Sequence, residues 1–250
     1  MKANQILSVL AAVFCSGPSF GFDLEDLLTT PPQDPCALFE TGDDFVRFYI
    51  DMKIEGGEVA MRVPKVFLED RFDHQNDARH QSQLFRVMID NFLPVTRAQT
   101  GAFNKSLPWP RGHQRHMHFL VKDVIDLEGI LDIHLGLRRL DPDVDYRDVF
   151  AADPYSYGLK KLRSIDSNYE VQHRQEALFF HADDGSLQTV MTCNLDGTVA
   201  SPGCTKWFRS HGLDVNLTFR KSYLSEWKQM QNDVDRFLGC ATSIEFEATE

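Results

Sequence analysis

No stretch of the chain is apolar over the roughly 20 residues that a bilayer-spanning helix needs, and no linker rich in glycine, serine or proline divides it. There is no C-x-x-C pair, no G-x-S-x-G elbow, no H-E-x-x-H and no G-x-x-x-x-G-K-S/T loop. These gaps remove the usual signals of a thiolate metal centre, an α/β-hydrolase nucleophile, a zinc protease and a phosphate-binding loop. Cations are also scarce: 26 lysines and arginines stand against 37 acidic side chains, for a net charge of −11. Nucleic-acid binding by counterion release needs clustered positive charge, so that class is set aside. An acidic surface suits solubility and encounter with a basic partner.

What is present starts with a leader. Lys2, the apolar run Ile6 to Phe14, the turn Ser16-Gly17-Pro18-Ser19 and the small residues Ser19 and Gly21 follow the three-part plan of a secretory signal. Residues 1–21 are expected to be removed after Gly21, and residues 22–250 to form one domain in the periplasm or outside the cell. Lipidation at Cys15 would need a small residue before it, and Phe14 stands there. Cys36, Cys193, Cys204 and Cys240 then remain, an even number in an oxidising compartment, which favours disulfides. Three complete pairings are open. The short turn-rich segment between Cys193 and Cys204 favours joining those two, leaving Cys36 to tie the start of the domain to Cys240 near its end.

Alternation carries most of the fold reading. Val46, Phe48, Ile50, Met52 and Ile54 alternate with polar residues, Gly56-Gly57 allows a reversal, and Val59, Met61 and Val63 alternate again, which reads as a hairpin over 45–63. Leu84 to Phe92 is apolar enough for a buried strand, which is the preferred reading, although its length also allows a short helix. Met117, Phe119 and Val121 oppose His116, His118 and Lys122 in another. Residues 69–82, 100–112 and 141–157 are rich in turn formers or charge and are expected to be loops, 125–140 fits helix or strand, and 158–175 carries no clear pattern. Ala177–His181 with Leu187–Thr192, and Trp207–Ser210 with Leu213–Arg220, read as two further hairpins. Leu224, Trp227, Met230, Val234 and Phe237 then recur at helical spacing, with Ser222 placed to cap the helix and Gly239 to end it. The predicted architecture is α+β: an antiparallel sheet built from hairpins, with a C-terminal amphipathic helix packed on one face.

Few residues invite chemistry. His116 and His118 share one side of a strand and, with His113, are weak candidates for a metal ion, although no spacing selects the remaining ligands. Asp141, Asp143 and Asp145 resemble the opening of a calcium loop, but Tyr146 and Ala152 stand where glycine and glutamate are required. No catalytic residue and no cofactor are assigned. Trp227 reads as a core anchor whose indole N–H donates to a backbone carbonyl. Trp109, Tyr155 and Tyr157 fall in expected loops, where recognition residues concentrate, and are the candidates for a contact surface.

The C-terminal unit, comprising Cys193, Cys204, the Gly212-Leu213 turn into an alternating strand, and Tyr223-Leu224 followed by Trp227, resembles a loose group of exported, disulfide-containing bacterial proteins. A fainter echo lies in the first hairpin, which ends at Val63-Pro64. Some members of that group are immunity proteins of type VI secretion lipase effectors. The resemblance spans about a quarter of the chain and rests on scaffold positions, so it implies a shared fold and brings over no functional residue. The expectation that follows is an exported, non-catalytic binding protein with a protein partner such as a secreted effector. An envelope-associated structural protein is the alternative, and a hydrolase or metal-dependent enzyme using His113 to His118 comes after it.

Overall fold

The computed structural model describes residues 22–54, 56–106, 115–123, 126–136, 143–169, 176–183 and 185–243. Residues 1–21, read above as a leader, lie outside the described residues, as do Trp109, His113 and Asp141.

Two short helices, α1 (Leu24–Thr29) and α2 (Ala37–Thr41), lead into strands β1 (Phe45–Asp51) and β2 (Glu58–Pro64), the expected first hairpin. The segment expected as a loop over 69–82 instead holds a helical turn, Arg71–His74, and strand β3 (Ala78–His80), which adds to β1 in parallel. Its pattern is too short and polar to mark a strand. Asn76 and Asp77 bind Arg47 of β1 and hold it there. Strand β4 (Ser82–Met88) follows, and then α3 (Arg97–Ser106), a helix that enters the 100–112 stretch whose composition predicts a loop. Thr96 and Gln99 explain this difference: the Thr96 hydroxyl accepts from Gln99 N at 3.2 Å, while the Gln99 side chain accepts from Thr96 N at 2.8 Å. That reciprocal capping box starts a helix that tolerates Gly101 inside it.

Strand β5 (His116–Lys122) lies beside β4. Helix α4 (Leu127–Leu135) resolves the ambiguous segment; Asp126 accepts from Gly129 N at its start, and Gly136 ends it at φ 75°. The expected loop 141–157 contains a single helical turn, α5 (Tyr146–Val149), and strand β6 (Phe150–Pro154), and β7 (Lys160–Ser164) fills part of the unassigned stretch. Each strand buries a single residue, Phe150 in β6 and Leu162 in β7, so one-sided burial imprints no clear alternation on them. The remaining strands are β8 (Glu176–Asp183), β9 (Ser186–Asn194), β10 (Gly203–Ser210) and β11 (Leu213–Arg220). A 3₁₀ segment, Lys221–Glu226, then passes into α6 (Trp227–Thr242).

The large sheet runs β4-β5-β11-β10-β9-β8-β7-β6, with every neighbouring pair antiparallel; β2-β1-β3 form a small second sheet. Alternation sorts the two faces of the large sheet. Phe85, Phe119, Val215, Leu217, Phe208, Met191 and Phe179 point inward to α6 and the small sheet, in one continuous core with Val46, Phe48, Met61 and Val63. Val190, Phe180 and Trp207 point the other way and are covered by Ile130, Leu131 and Leu135 of α4. The C-terminal helix thus packs on one face as expected, and a second helix occupies part of the other.

Two details of α6 depart from the sequence reading. No side-chain cap begins it, because the 3₁₀ segment carries the chain into the first turn. It also continues through Gly239 to Thr242: a Cβ at Gly239 would stand 3.2 Å from the His211 ring, so the glycine admits a close approach and does not end the helix. Cys36 is joined to Cys240, closing a sequence separation of 204 residues, and Cys193 is joined to Cys204 directly across β9 and β10. The Asp34–Arg236 ion pair lies beside the first bridge at 3.2 Å, and the guanidinium holds the Asp34 carboxyl below its usual range.

Lys206 is the anomaly of the inner face. Its side chain is fully buried, Nζ donates to Trp227 O at 3.2 Å and lies 4.2 Å from the centroid of the Trp227 ring, and among the described residues no carboxylate pairs with it. Burial pushes its pKa well below the ordinary lysine value. The unfolded chain therefore binds a proton that the folded chain resists. Stability should rise with pH above the depressed folded pKa until the ordinary value near 10.4 is reached.

Two outcomes follow. Lys206→Met should raise the melting temperature at pH 7 by roughly 2–4 °C for each kcal/mol of relieved desolvation. The difference between variant and wild type should shrink as the pH approaches 10, which calorimetry over pH 7 to 10 will check. The double substitution Cys36→Ser/Cys240→Ser should lower stability by about 5 kcal/mol on the chain-entropy scale for a closure of this length, read as a fall in the urea midpoint.

Candidate functional site

The β6–β7 turn is held from below. Trp227 Nε1 donates to Tyr157 O at 3.0 Å and His181 Nδ1 lies 3.0 Å from Gly158 O, so two rings beneath the turn grip two successive carbonyls. Under that grip Tyr157 sits at φ 62°, ψ 30°, a left-handed conformation that is strained for a bulky residue. Its side chain is 56% exposed, and Tyr155, whose ring stands 4.5 Å from Phe179, is 39% exposed. The two tyrosines named from sequence are therefore brought together on one rigid turn. A large exposed ring held in a fixed pose loses little conformational entropy on contact, which is what an anchor at a protein interface requires. Lys160, Lys161 and Arg163 of the adjoining β7 are exposed and make the flank basic, with Arg163 paired to Asp153 at 2.8 Å.

The histidines lie on the opposite face of the large sheet. His118 stands across from Arg86 of β4 and Thr218 of β11, and Thr218 faces Thr205, which faces Thr192. A polar row thus crosses five strands of the outer face. Burial first, and then the charges of Arg86, His118 and Arg220, push the His116 pKa down to about 4; burial and Arg86 also lower that of His118. Both imidazoles are held neutral at pH 7. A guanidinium occupies the place where a third metal ligand would bring negative charge, and among the described residues no three His, Cys, Asp or Glu side chains gather around a point fit for an ion.

Trp227 itself is 3% exposed and belongs to the core. Sequence reasoning passed over Arg86. Its signal was there: a lone cation inside the apolar run Leu84-Phe85-Arg86-Val87-Met88-Ile89.

No protein-family model matches the chain, and no curated protein sequence matches it. Among solved structures it is similar to an immunity protein of the Stenotrophomonas maltophilia type IV secretion system, with 15% identity and a TM-score of 0.51, over 78% of this chain and 92% of that one. It is also similar to the Neisseria meningitidis iron-regulated outer membrane lipoprotein FrpD, with 11% identity and a TM-score of 0.47, over 86% of this chain and 96% of that one. At 15% identity the likeness to the immunity protein is one of fold.

Proposed function

We propose that the protein is an exported, non-catalytic binding protein that acts as an immunity or inhibitor protein toward a secreted effector, and that the Tyr155–Tyr157 turn is part of its contact surface. The observation that carries this reading is the grip of Trp227 and His181 on the turn, which holds a largely exposed tyrosine in a left-handed backbone pose. Strain kept at the surface is characteristic of sites used for recognition. Two disulfides support export, since such bonds persist in oxidising compartments. The leader plan of residues 1–21 supports the same route, and residues 22–250 are read as one domain. The solved immunity protein with a similar fold serves a type IV system, whereas the C-terminal motif resembles proteins encoded with type VI lipase effectors. The reading therefore commits to a secreted effector and leaves the secretion machine open.

Tyr157→Gly separates fold from recognition. Glycine adopts the left-handed conformation without strain, so the melting temperature should hold or rise, while affinity for the partner should fall at least tenfold, the loss of a typical aromatic anchor. The partner is sought as a secreted protein encoded by a neighbouring gene or recovered by pull-down from periplasmic extract, then purified, with binding measured by calorimetry. No complex with that protein, or full affinity in both Tyr157→Gly and Tyr155→Ala, would sink the proposal.

A further inference from the structure

A cavity of about 540 Å³ opens between the segment 65–74, the outer side of β4 and residues 94–97. Its charged lining can be followed group by group. Asp70 accepts from Phe72 N at 2.9 Å, Asp73 from the Gln83 amide at 3.0 Å, and Lys65 pairs with Asp44 at 3.1 Å. Arg71 lies over the Phe72 ring. Two guanidiniums are left to one carboxylate. Glu69 Oε2 stands 3.9 Å from Arg86 Nε and 3.7 Å from Arg97 Nε, beyond hydrogen-bond reach of both, while its other oxygen accepts from Arg97 N at 2.7 Å. Arg86 Nε is buried and makes no hydrogen bond. Asp70 and Asp73 keep their charges elsewhere on the wall and Arg71 its own, so the excess is local: among the described residues, only the Glu69 carboxylate stands within 4 Å of Arg86 and Arg97, in a protein whose net charge is −11.

A buried donor without an acceptor and a half-neutralised pair of guanidiniums define what would complete them: an oxyanion with two oxygens, accepting from both arginines. Glu69, Asp70 and Asp73 around the wall disfavour a second negative charge on that ligand. Val66, Leu84, Pro94 and Val95 supply apolar wall for a short hydrocarbon body, and the volume lies within the usual range of small-molecule sites. We propose that this cavity binds a singly charged carboxylate with a short apolar body, its oxygens bridging Arg86 and Arg97. The carboxylate is either that of a free organic acid or the C-terminus of a polypeptide with an apolar last residue. The site stands on its own observations, apart from the effector reading, and lies away from the tyrosine turn.

The test uses the ¹⁵N-labelled full chain and follows the arginine Nε–H resonances by NMR. Hexanoate and acetyl-leucine are the two probes, with acetyl-leucinamide and inorganic phosphate as controls. At least one of the two carboxylates should shift the Arg86 Nε–H resonance to saturation with Kd on the order of 1 mM. Saturation by hexanoate alone assigns a free acid, by acetyl-leucine alone a chain terminus, and by both the shared chemistry. Arg86→Met should abolish binding. Arg97→Gln, at a side chain 73% exposed and so without consequence for folding, should weaken it about tenfold. The proposal is overturned if neither carboxylate shifts Arg86, if acetyl-leucinamide or phosphate binds as well as they do, or if Arg97→Gln leaves the affinity unchanged.

Discussion

One ring gathers the molecule. Phe237 of α6 packs against Phe39, Phe67, Phe85, Phe92 and Phe119 with centroid distances between 4.9 and 5.6 Å. Those five rings come from α2, the turn after β2, β4, the turn after β4, and β5. Four of the contacts are edge-on and the fifth is tilted, all within the range where aromatic pairs add to simple burial. The small sheet and the large one have no hydrogen-bonded strand in common among the described residues, and Val46, Phe48, Met61 and Val63 of the small sheet join these rings in one continuous core. The Cys36–Cys240 bridge and the Asp34–Arg236 pair then secure α2 to the same end of α6. Removing a buried ring of this kind typically costs 3–5 kcal/mol, a large part of the stability of an average domain.

With the inner face closed in this way, strain and uncompensated charge are kept at its margins. The tyrosine turn is rigid because it is tied to Trp227, the first residue of the helix that carries Phe237, so the core and the turn are coupled through one residue. On the far side of the large sheet, α4 packs over Phe180, Val190 and Trp207 of the β8 to β10 region. The β4, β5 and β11 strands keep a polar row there, with neutral histidines next to a cationic arginine. The two regions differ in chemistry as well as position: one offers aromatic rings flanked by basic side chains, the other hydrogen-bond donors in a recess. A single partner need not use both.

How much of this was legible beforehand depends on where burial imprints a pattern. The strands over 45–51, 116–122 and 213–220 were readable because each buries one face and so alternates with period two. The α6 helix was readable from its three- and four-residue spacing. Strands β3, β6 and β7 were not, since short or edge strands hold few buried residues and owe their place to neighbours already in position. Helix α3 carried its own signal in Thr96 and Gln99, hidden by the glycine and proline that follow in the expected loop. Gly239 was misread because a helix-ending glycine and a glycine that yields room to a distant ring look alike in one dimension.

The sequence by itself determined the strand faces, the C-terminal helix and the even set of cysteines, because side-chain direction along a strand or helix is a local property of the backbone. Tertiary structure alone decided the sites. Trp227 meets Tyr157 across 70 residues. Arg86, Glu69 and Arg97 come together only once the 65–74 segment has folded over the edge of β4. Whether a tyrosine is an anchor or an arginine is left half-neutralised depends on what stands within a few ångströms, and that is settled by packing between elements distant in the chain.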